Sequence, residues 1–222
     1  MIPAAQWPVE FLSDPDQHGD SSMAIETQKT LIHRIRDTGD ASAWNEFFEL
    51  YHPLLLNFFV SRGLDHNDAD DVGQAVLQRI AKAAPDFEYD PKKGKFRAWL
   101  FRIARNELNR FFAKTARNRE SATHDGEVPT NADQVDPELE AAWTREYRQH
   151  IFVWACRQVK PTVSEKSWQA FWKTAIDGET AEATAAALDL KLGSVYVAKS
   201  RIIKRLRDCV AGISGEDHDA PI

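Results

Sequence analysis

The sequence predicts an all-α protein with two helical domains, joined by an acidic flexible linker, the second containing a helix-turn-helix. Apolar side chains recur at three- and four-residue steps through most of the chain, which is typical of helices with one buried face. Between Glu120 and Glu140 the chain holds seven acids and no Lys or Arg, and Gly126, Pro129 and Pro137 interrupt it. Such a composition favours an extended linker between domains.

Composition narrows the class of protein. The 222 residues carry a net charge of −6, with 43% hydrophobic and 28% charged residues, as in ordinary soluble proteins. No apolar run approaches the roughly 20 residues that span a bilayer, and no secretory signal pattern is visible. Cys156 and Cys209 are the only cysteines, so a reducing cytoplasm is the simpler expectation and one disulfide the alternative. The seven His residues are scattered, so we expect no metal site and no cofactor.

The first domain begins with helical patterns. After a predicted arm at residues 1–22, one helix is expected near Leu31, and Gly39 breaks it so that Asp40 or Ser42 can cap the next. The next helix is rich in aromatic residues, which we assign to the core. These core residues are Trp44, Phe47, Phe48, Tyr51, Leu54, Leu55, Phe58 and Phe59.

A third helix follows Gly63 and has an acidic face opposite its buried side. Val72, Val76 and Ile80 form the buried side. Acids in a first turn favour the positive end of the helix dipole, which accounts for Asp68 but less well for a compact Asp/Gln face. From the residues alone, a partner surface and a solvated face are equally good interpretations of Asp70, Asp71, Gln74, Gln78 and the marginal Leu77.

The most basic stretch runs from Lys92 to Arg119 and contains ten Lys or Arg against one acid, Glu107. Leu100, Ala104 and Leu108 predict a buried stripe on this helix, and the opposite side carries no mixture of signs. A lone Trp is usually core, but Trp99 shares the basic side. That side suits phosphate contact, base stacking and base-edge hydrogen bonding together. It comprises Trp99, Arg102, Asn106, Asn109 and Arg110, with Lys92, Lys93, Lys95, Arg97 and Arg105 as further cations.

The second domain is predicted at residues 138–210, after the first domain (23–119) and the linker (120–137), and before a tail (211–222). Its last part has the form of a helix-turn-helix: a short helix from about Thr180 to Leu188, a turn, and a second helix that Ser194 caps. The second helix of such motifs enters the major groove. Its predicted inner residues are Val195, Ala198, Ile202 and Leu206, and its predicted outer or flanking residues are Tyr196, Lys199, Ser200, Arg201, Lys204, Arg205 and Arg207.

Three motifs in order give the chain a family resemblance. Asp68-Ala-Asp-Asp-Val-Gly-Gln-Ala-Val is similar to D-x-x-D-[LV]-x-Q-x-[VT], and Phe96-Arg-Ala-Trp-Leu-Phe-Arg-Ile-Ala-Arg-Asn is very close to F-x-x-W-L-x-R-I-A-x-N. Val195 to Arg207 fits V-x-x-x-x-x-R-x-x-x-x-L-R. With these motifs, the chain resembles bacterial RNA polymerase sigma factors of the extracytoplasmic-function type, over about residues 27–210.

The resemblance implies a cytoplasmic, non-enzymatic protein that directs promoter recognition, −10 melting and transcription initiation. Its implied partners are core polymerase (the β′ clamp helices and the β flap), promoter DNA as duplex and melted strand, and an anti-sigma factor, without a membrane. The β′ clamp helices would bind Asp70, Asp71, Gln74, Leu77 and Gln78. The −10 element would contact Lys92, Lys93, Lys95, Arg97, Trp99, Arg102, Arg105, Asn106, Asn109 and Arg110. The −35 duplex would contact Ser194, Tyr196, Lys199, Ser200, Arg201, Lys204 and Arg205.

Two departures and several rivals qualify this interpretation. Asp189 stands where the family's turn usually has Gly, and since Asp tolerates positive φ, we expect the turn to be kept. Tyr196, Val197 and Ala198 replace the usual polar start of the recognition helix, so the −35 sequence is not inherited. The nearest rival is a stand-alone helix-turn-helix regulator, which needs neither the Asp/Gln face nor the Trp99 helix. A nuclease would need clustered carboxylates or His, and a purely structural helical protein would not segregate its basic patches.

Overall fold

The computed structural model describes residues 30–87, 96–120 and 136–214, and within these ranges every regular element is helical. The predicted all-α class is therefore confirmed. The predicted arm, nearly all of the linker and residues 215–222 of the predicted tail lie outside the described residues, whereas residues 211–214 of that tail are helical and include the buried Ile213. No described helix is long and apolar enough to cross a membrane. The helices are α1 (Leu31–Arg34), α2 (Ala41–Val60), α3 (His66–Ala83), α4 (Phe96–Glu120), α5 (Pro137–Val159), α6 (Glu165–Ala175), α7 (Ala181–Leu188) and α8 (Leu192–Ser214), with a 3-10 turn at Lys160–Thr162.

Side-chain caps set the start of four helices. The side chains of Asp40, Asp65, Ser164 and Thr180 each accept a hydrogen bond from the backbone N–H three residues further on. Of the two candidates for α2, Asp40 is therefore the cap. The predicted cap at Ser194 is wrong, because α8 already begins at Leu192 and Ser194 lies within its first turn. The backbone N–H groups of Ser194 and Val195 both donate to the Lys191 carbonyl, so the backbone itself satisfies these first donors of the helix.

The described residues form two compact units: Leu31–Ile151, the N-terminal unit, and the residues from Phe152 onward, the C-terminal unit. In the N-terminal unit, α2 packs on α3, and α3 on α4. Aromatic rings join α2 to α4. The ring centroids of Phe47 and Tyr51 lie 6.1 and 5.5 Å from the ring centroid of Phe96. The core assignment of the α2 aromatics holds for most of them, but Phe48 is 48% exposed.

The first half of α5 also belongs to the N-terminal unit, although the sequence interpretation placed residues from 138 onward in the second domain. The Trp143 ring packs on Phe58 at 4.9 Å and on Phe101 at 5.8 Å, and its Nε1–H donates to the Arg97 carbonyl. Glu146 forms an ion pair with Arg62 at 2.8 Å. Helical periodicity identifies the buried face of α5 but does not say which unit that face packs against.

The C-terminal unit has two apolar clusters. One joins the end of α5 to α6 and α8 around Trp168, Phe171 and Ile202, and the other joins α7 to the start of α8 around Ala185 and Val195. Cys156 lies in the first cluster, and burial, with a smaller effect of the neighbouring Cys209, raises the pKa of its thiol to about 12. No disulfide joins the two cysteines.

The turn between α7 and α8 depends on a left-handed residue. Asp189 ends α7 with φ of 51° and ψ of 57°, and among the described residues no other non-glycine residue has positive φ. The expectation that Asp would keep this turn is therefore confirmed. Its N–H donates to the Ala185 carbonyl, so the residue closes α7, the helix that precedes α8.

Replacing Asp189 by valine is expected to lower the free energy of unfolding of the C-terminal unit by about 1–2 kcal/mol, because a β-branched residue is strained at positive φ. Asp189→Gly should change it by no more than about 0.5 kcal/mol, since glycine adopts this conformation readily. Urea unfolding of both variants provides the measurement. Equal stability of the two would show that the backbone leaves this conformation at little cost.

Candidate nucleic-acid and protein interfaces

The Asp/Gln face of α3 is present, but its members differ in how they are held. Asp71, Gln74 and Gln78 are exposed, whereas Leu77 and Asp70 are partly buried. His52 Nε2 from α2 lies 2.9 Å from Asp70 Oδ1, and Gln74 donates to Asp70 Oδ2 at 2.7 Å. Both oxygens of Asp70 are thus engaged within the unit. Asp71 is the carboxylate that this face offers outward.

An exposed aromatic residue adjoins this face, and the sequence interpretation missed it. The ring of Phe48 stacks on His52 with centroids 4.6 Å apart and an interplanar angle of 14°. Because His52 contacts Asp70, the face extends from α3 onto α2 as an apolar ring beside acids and amides. Phe48 lies one residue from Phe47, which is fully buried, so helical spacing alone already placed the two on different sides.

Helix α4 buries the predicted stripe and exposes most of the predicted basic side. Leu100, Ala104 and Leu108 are buried. Trp99 is partly buried, with its ring 4.5 Å from Phe87 and 5.4 Å from Phe96, so it lies at the edge of the core with part of its surface accessible. The predicted cations Lys92, Lys93 and Lys95 lie outside the described residues. The exposed members of this side are Arg102, Asn106, Asn109 and Arg110.

The one acid of the basic stretch has a structural role that the charge count did not reveal. Glu107 is buried between α3 and α4, where its Oε1 forms ion pairs with Arg79 and, at 2.8 Å, with Arg110. Arg110 is therefore partly neutralised, and a DNA phosphate would compete with Glu107 for it. The sequence spacing could have predicted the ion pair between Glu107 and Arg110, because Glu107 precedes Arg110 by three residues on the same helix.

Two further arginines of the basic stretch are only partly exposed. Arg97 is in the first turn of α4 and Arg105 lies two turns later. The Nε and Nη1 atoms of Arg105 are buried and have no hydrogen-bond partner among the described residues. Such orphaned cationic donors are costly unless an anion or water reaches them.

Helix α8, the second helix of the predicted helix-turn-helix, buries the predicted inner residues. Val195, Ala198, Ile202 and Leu206 are buried against α6 and α7. Arg205 differs from its neighbours, because its Nη1 donates to the carbonyl and the hydroxyl of Thr162 at 2.9 and 3.0 Å. It therefore holds α8 to the turn before α6. Lys199 is partly buried, and the exposed members are Ser194, Tyr196, Ser200, Arg201, Lys204 and Arg205.

Among the described residues, no group of three or more His, Cys, Asp or Glu is placed to hold a metal ion. The C-terminal unit has a groove of about 650 Å³ between α5 and α6, and its lining includes Phe152, Trp168, Trp172, Lys160, Lys173, Glu165 and Asp177. Its lining is aromatic and carries charges of both signs.

Residues 47–118 match the family model for sigma-70 region 2. The chain is similar to the extracytoplasmic-function RNA polymerase sigma factor RpoE of Cereibacter sphaeroides, with 32% identity over 76 residues, 34% of this chain and 41% of RpoE. The chain also shares 28% identity with the extracytoplasmic-function RNA polymerase sigma factor ShbA of Streptomyces griseus subsp. griseus. This match extends over 184 residues, which cover 80% of this chain and 92% of ShbA. Thus the chain spans less than half of RpoE but nearly all of ShbA. A solved structure of CnrH in complex with the cytosolic domain of CnrY shares 21% identity, covering 80% of this chain and 93% of that chain, at a TM-score of 0.32, which is too low to support an argument.

Proposed function

Since this chain belongs to the extracytoplasmic-function type of the sigma-70 family of RNA polymerase sigma factors, we propose that it binds core polymerase, directs it to promoters and initiates transcription. The observation that carries the proposal is the sigma-70 region 2 match at residues 47–118, which covers both the Asp/Gln face of α3 and the basic side of α4. One helical unit thus carries an acidic face for a protein partner and a cationic face for DNA. We place the protein in the cytoplasm, where the polymerase acts.

In this proposal the Asp/Gln face binds the β′ clamp helices. Asp71 supplies the outward carboxylate, and His52 and Gln74 hold Asp70 in position. Phe48 adds an apolar contact at the edge of the face. Aromatic residues such as Phe are enriched at protein interfaces, which suits this position.

The basic side of α4 holds the melted −10 strand. Arg102 contacts phosphates, Asn106 and Asn109 reach base edges, and the accessible part of Trp99 stacks on a base. Stacking contributes roughly 1–3 kcal/mol per base, which offsets part of the cost of separating the strands. Packing of Trp99 on Phe87 and Phe96 fixes the ring before the strand arrives, so less side-chain entropy is lost on binding.

The C-terminal unit binds the −35 element as duplex through α8. Arg201 and Lys204 contact phosphates or base edges, and the exposed Tyr196 near the start of the helix lies where base contacts are made in such motifs. The polymerase performs all covalent chemistry. The aromatic groove between α5 and α6 is our candidate for the β flap.

Run-off transcription with bacterial core polymerase tests the proposal, with templates taken from genome-wide mapping of the chain's binding sites. We expect specific transcripts only when core and chain are both present. Duplex binding as tight without core as with it would instead favour a stand-alone helix-turn-helix regulator. No association with core at any salt concentration would overturn the proposal.

Asp71→Arg is expected to weaken binding to core polymerase at least tenfold, because the outward carboxylate of the face is replaced by the opposite charge. Asp86→Arg, the same charge reversal at an exposed position beyond the end of α3, is the matched control and should bind core normally. Competition with a labelled sigma factor for core measures both. Equal affinities of the two variants would remove Asp71 from the interface.

A further inference from the structure

We propose that the start of α8 recognises thymine bases of the −35 duplex through their 5-methyl groups, with Val197 as the residue that sets this specificity. The proposal rests on the proposed function and names what that surface recognises. Three exposed apolar side chains, Leu192, Tyr196 and Val197, form the reading face together with the exposed Gly193. Of these four residues, the sequence interpretation counted only Tyr196 among the DNA contacts.

Exposed apolar side chains are concentrated at the start of α8. Among the described residues five large hydrophobic side chains are exposed, and three of them lie within this one stretch. Leu192, Tyr196 and Val197 are 42%, 54% and 46% exposed. None of the three belongs to the two apolar clusters that the described part of the C-terminal unit forms. The fold therefore gains little from these side chains, and such a patch is typical of a binding surface.

Buried neighbours fix the direction in which this face points. Val195 is 1% exposed and Ala198 is 9% exposed, and both pack with Ala185 of α7 in one cluster. Two residues after Val195, Val197 lies roughly 160° further around the helix, so it points away from α7. In a helix-turn-helix the first residues of the second helix contact the base edges, so this side faces the major groove.

Gly193 is an independent observation, because the fold does not explain it. Its φ is not positive, and a Cβ at this position would meet no atom of the chain within 4 Å. Neither a turn nor internal packing therefore requires glycine here, and alanine is the better helix former. Gly193 precedes Val197 by four residues, so the two share one side of α8. A missing side chain beside an exposed valine lets bases approach the helix closely.

The charges around the face favour the major groove of DNA over an apolar partner protein. Lys191 precedes the face, Arg201 and Lys204 follow it, and all three side chains are exposed. The one acid of α8, Asp208, lies eleven residues beyond Val197, roughly 16 Å along the helix. Apolar side chains bordered by cations match the major groove, where thymine methyl groups lie between two phosphate backbones. Since thymine is the base that presents a methyl group there, an apolar face selects thymine.

The test replaces each thymine of the −35 duplex in turn by deoxyuridine, which lacks only the 5-methyl group. Promoters taken from genome-wide mapping are bound by holoenzyme that is reconstituted with the full chain, and the promoter affinity is measured. At a thymine that faces Val197 we expect deoxyuridine to weaken binding about fourfold, as the burial of one methyl group predicts. Thymines upstream of the −35 element are the matched control, and the same exchange there should leave the affinity unchanged.

Variants of the face show whether Val197 detects the methyl group. Val197→Ala should abolish most of the deoxyuridine penalty at one position, because the shortened side chain no longer reaches the methyl group. Tyr196→Phe keeps the ring and should keep the full penalty. Gly193→Ala should weaken promoter binding several-fold without lowering the midpoint of thermal unfolding, since its Cβ meets no atom within the chain. A purely structural role of Gly193 would instead lower that midpoint and leave the affinity unchanged.

Several results would overturn the proposal. Deoxyuridine could be tolerated at every thymine, or its penalty could persist undiminished in Val197→Ala. Loss of the penalty in Tyr196→Phe would mean that a hydroxyl group, rather than an apolar contact, reads the base. A dimer of the free chain in sedimentation that Val197→Ala dissociates would assign the face to a second copy of the chain.

The same samples show whether the proposed function itself has failed. Core binding and run-off transcription by the unsubstituted chain test that function alone. If the unsubstituted holoenzyme initiates transcription and tolerates deoxyuridine at every −35 thymine, only the methyl readout is wrong.

Discussion

Replacing Trp143 by alanine is expected to lower the free energy of unfolding of the N-terminal unit by about 3–5 kcal/mol, the usual range for a buried tryptophan. The side chain is 1% exposed and packs edge to face on Phe58. Its loss removes apolar contacts with α2 and α4 and leaves the Arg97 carbonyl without its donor. The free energy of unfolding of a protein is typically about 5–15 kcal/mol, so this loss would be a large part of it.

Hydrogen exchange of the α2 amides in increasing urea measures the effect within this unit. Phe112→Ala is the matched control, because that ring is 45% exposed and its removal should change stability by less than about 1 kcal/mol. If Trp143→Ala behaved like Phe112→Ala, the first half of α5 would not be part of the N-terminal unit.

The double variant Arg201→Gln, Lys204→Gln is expected to weaken binding of the chain to duplex −35 DNA by about 100-fold at moderate salt. Both side chains are exposed, and the described residues give neither an ion pair. Each phosphate contact adds about 0.9 to the salt slope, so the slope should fall by about 2. Fluorescence anisotropy with a labelled duplex across a salt series measures both quantities.

Arg205→Gln is the contrasting variant, since it removes the same charge from the same helix. Arg205 donates to Thr162, so its loss should lower the stability of the C-terminal unit by about 1 kcal/mol and change the salt slope less than Lys204→Gln does. If Arg205→Gln reduced the slope as much as Lys204→Gln, the bond to Thr162 would not survive on DNA. Both arginines and the lysine would then contact the duplex.

The amphipathic helices were predictable because burial and periodicity act on each helix separately. Val72, Val76 and Ile80 on α3 and Leu100 and Ala104 on α4 face inward as their spacing indicates. The turn between α7 and α8 was predictable because the backbone preference of one residue, Asp189, decides it. Local rules suffice for these features.

Features that depend on distant parts of the chain were not predictable. The spacing of Trp143 and Tyr147 identified a buried face, but only the tertiary structure places that face against α2 and α4. The charge count along α4 showed Glu107 only as a single acid in a basic stretch. Its ion pair with Arg79 was not predictable, because Arg79 is on another helix. The Asp/Gln face could be located by pattern, whereas the contact of Asp70 with His52 required the position of α2.

The thiol of Cys156 bears on how such a chain could respond to its surroundings. Burial raises the pKa of this thiol to about 12, so at neutral pH it is held in the protonated form, which peroxides and other electrophiles attack slowly. Direct oxidation at this position is therefore disfavoured while the C-terminal unit is folded. A response to oxidants through this thiol would have to wait for that unit to open.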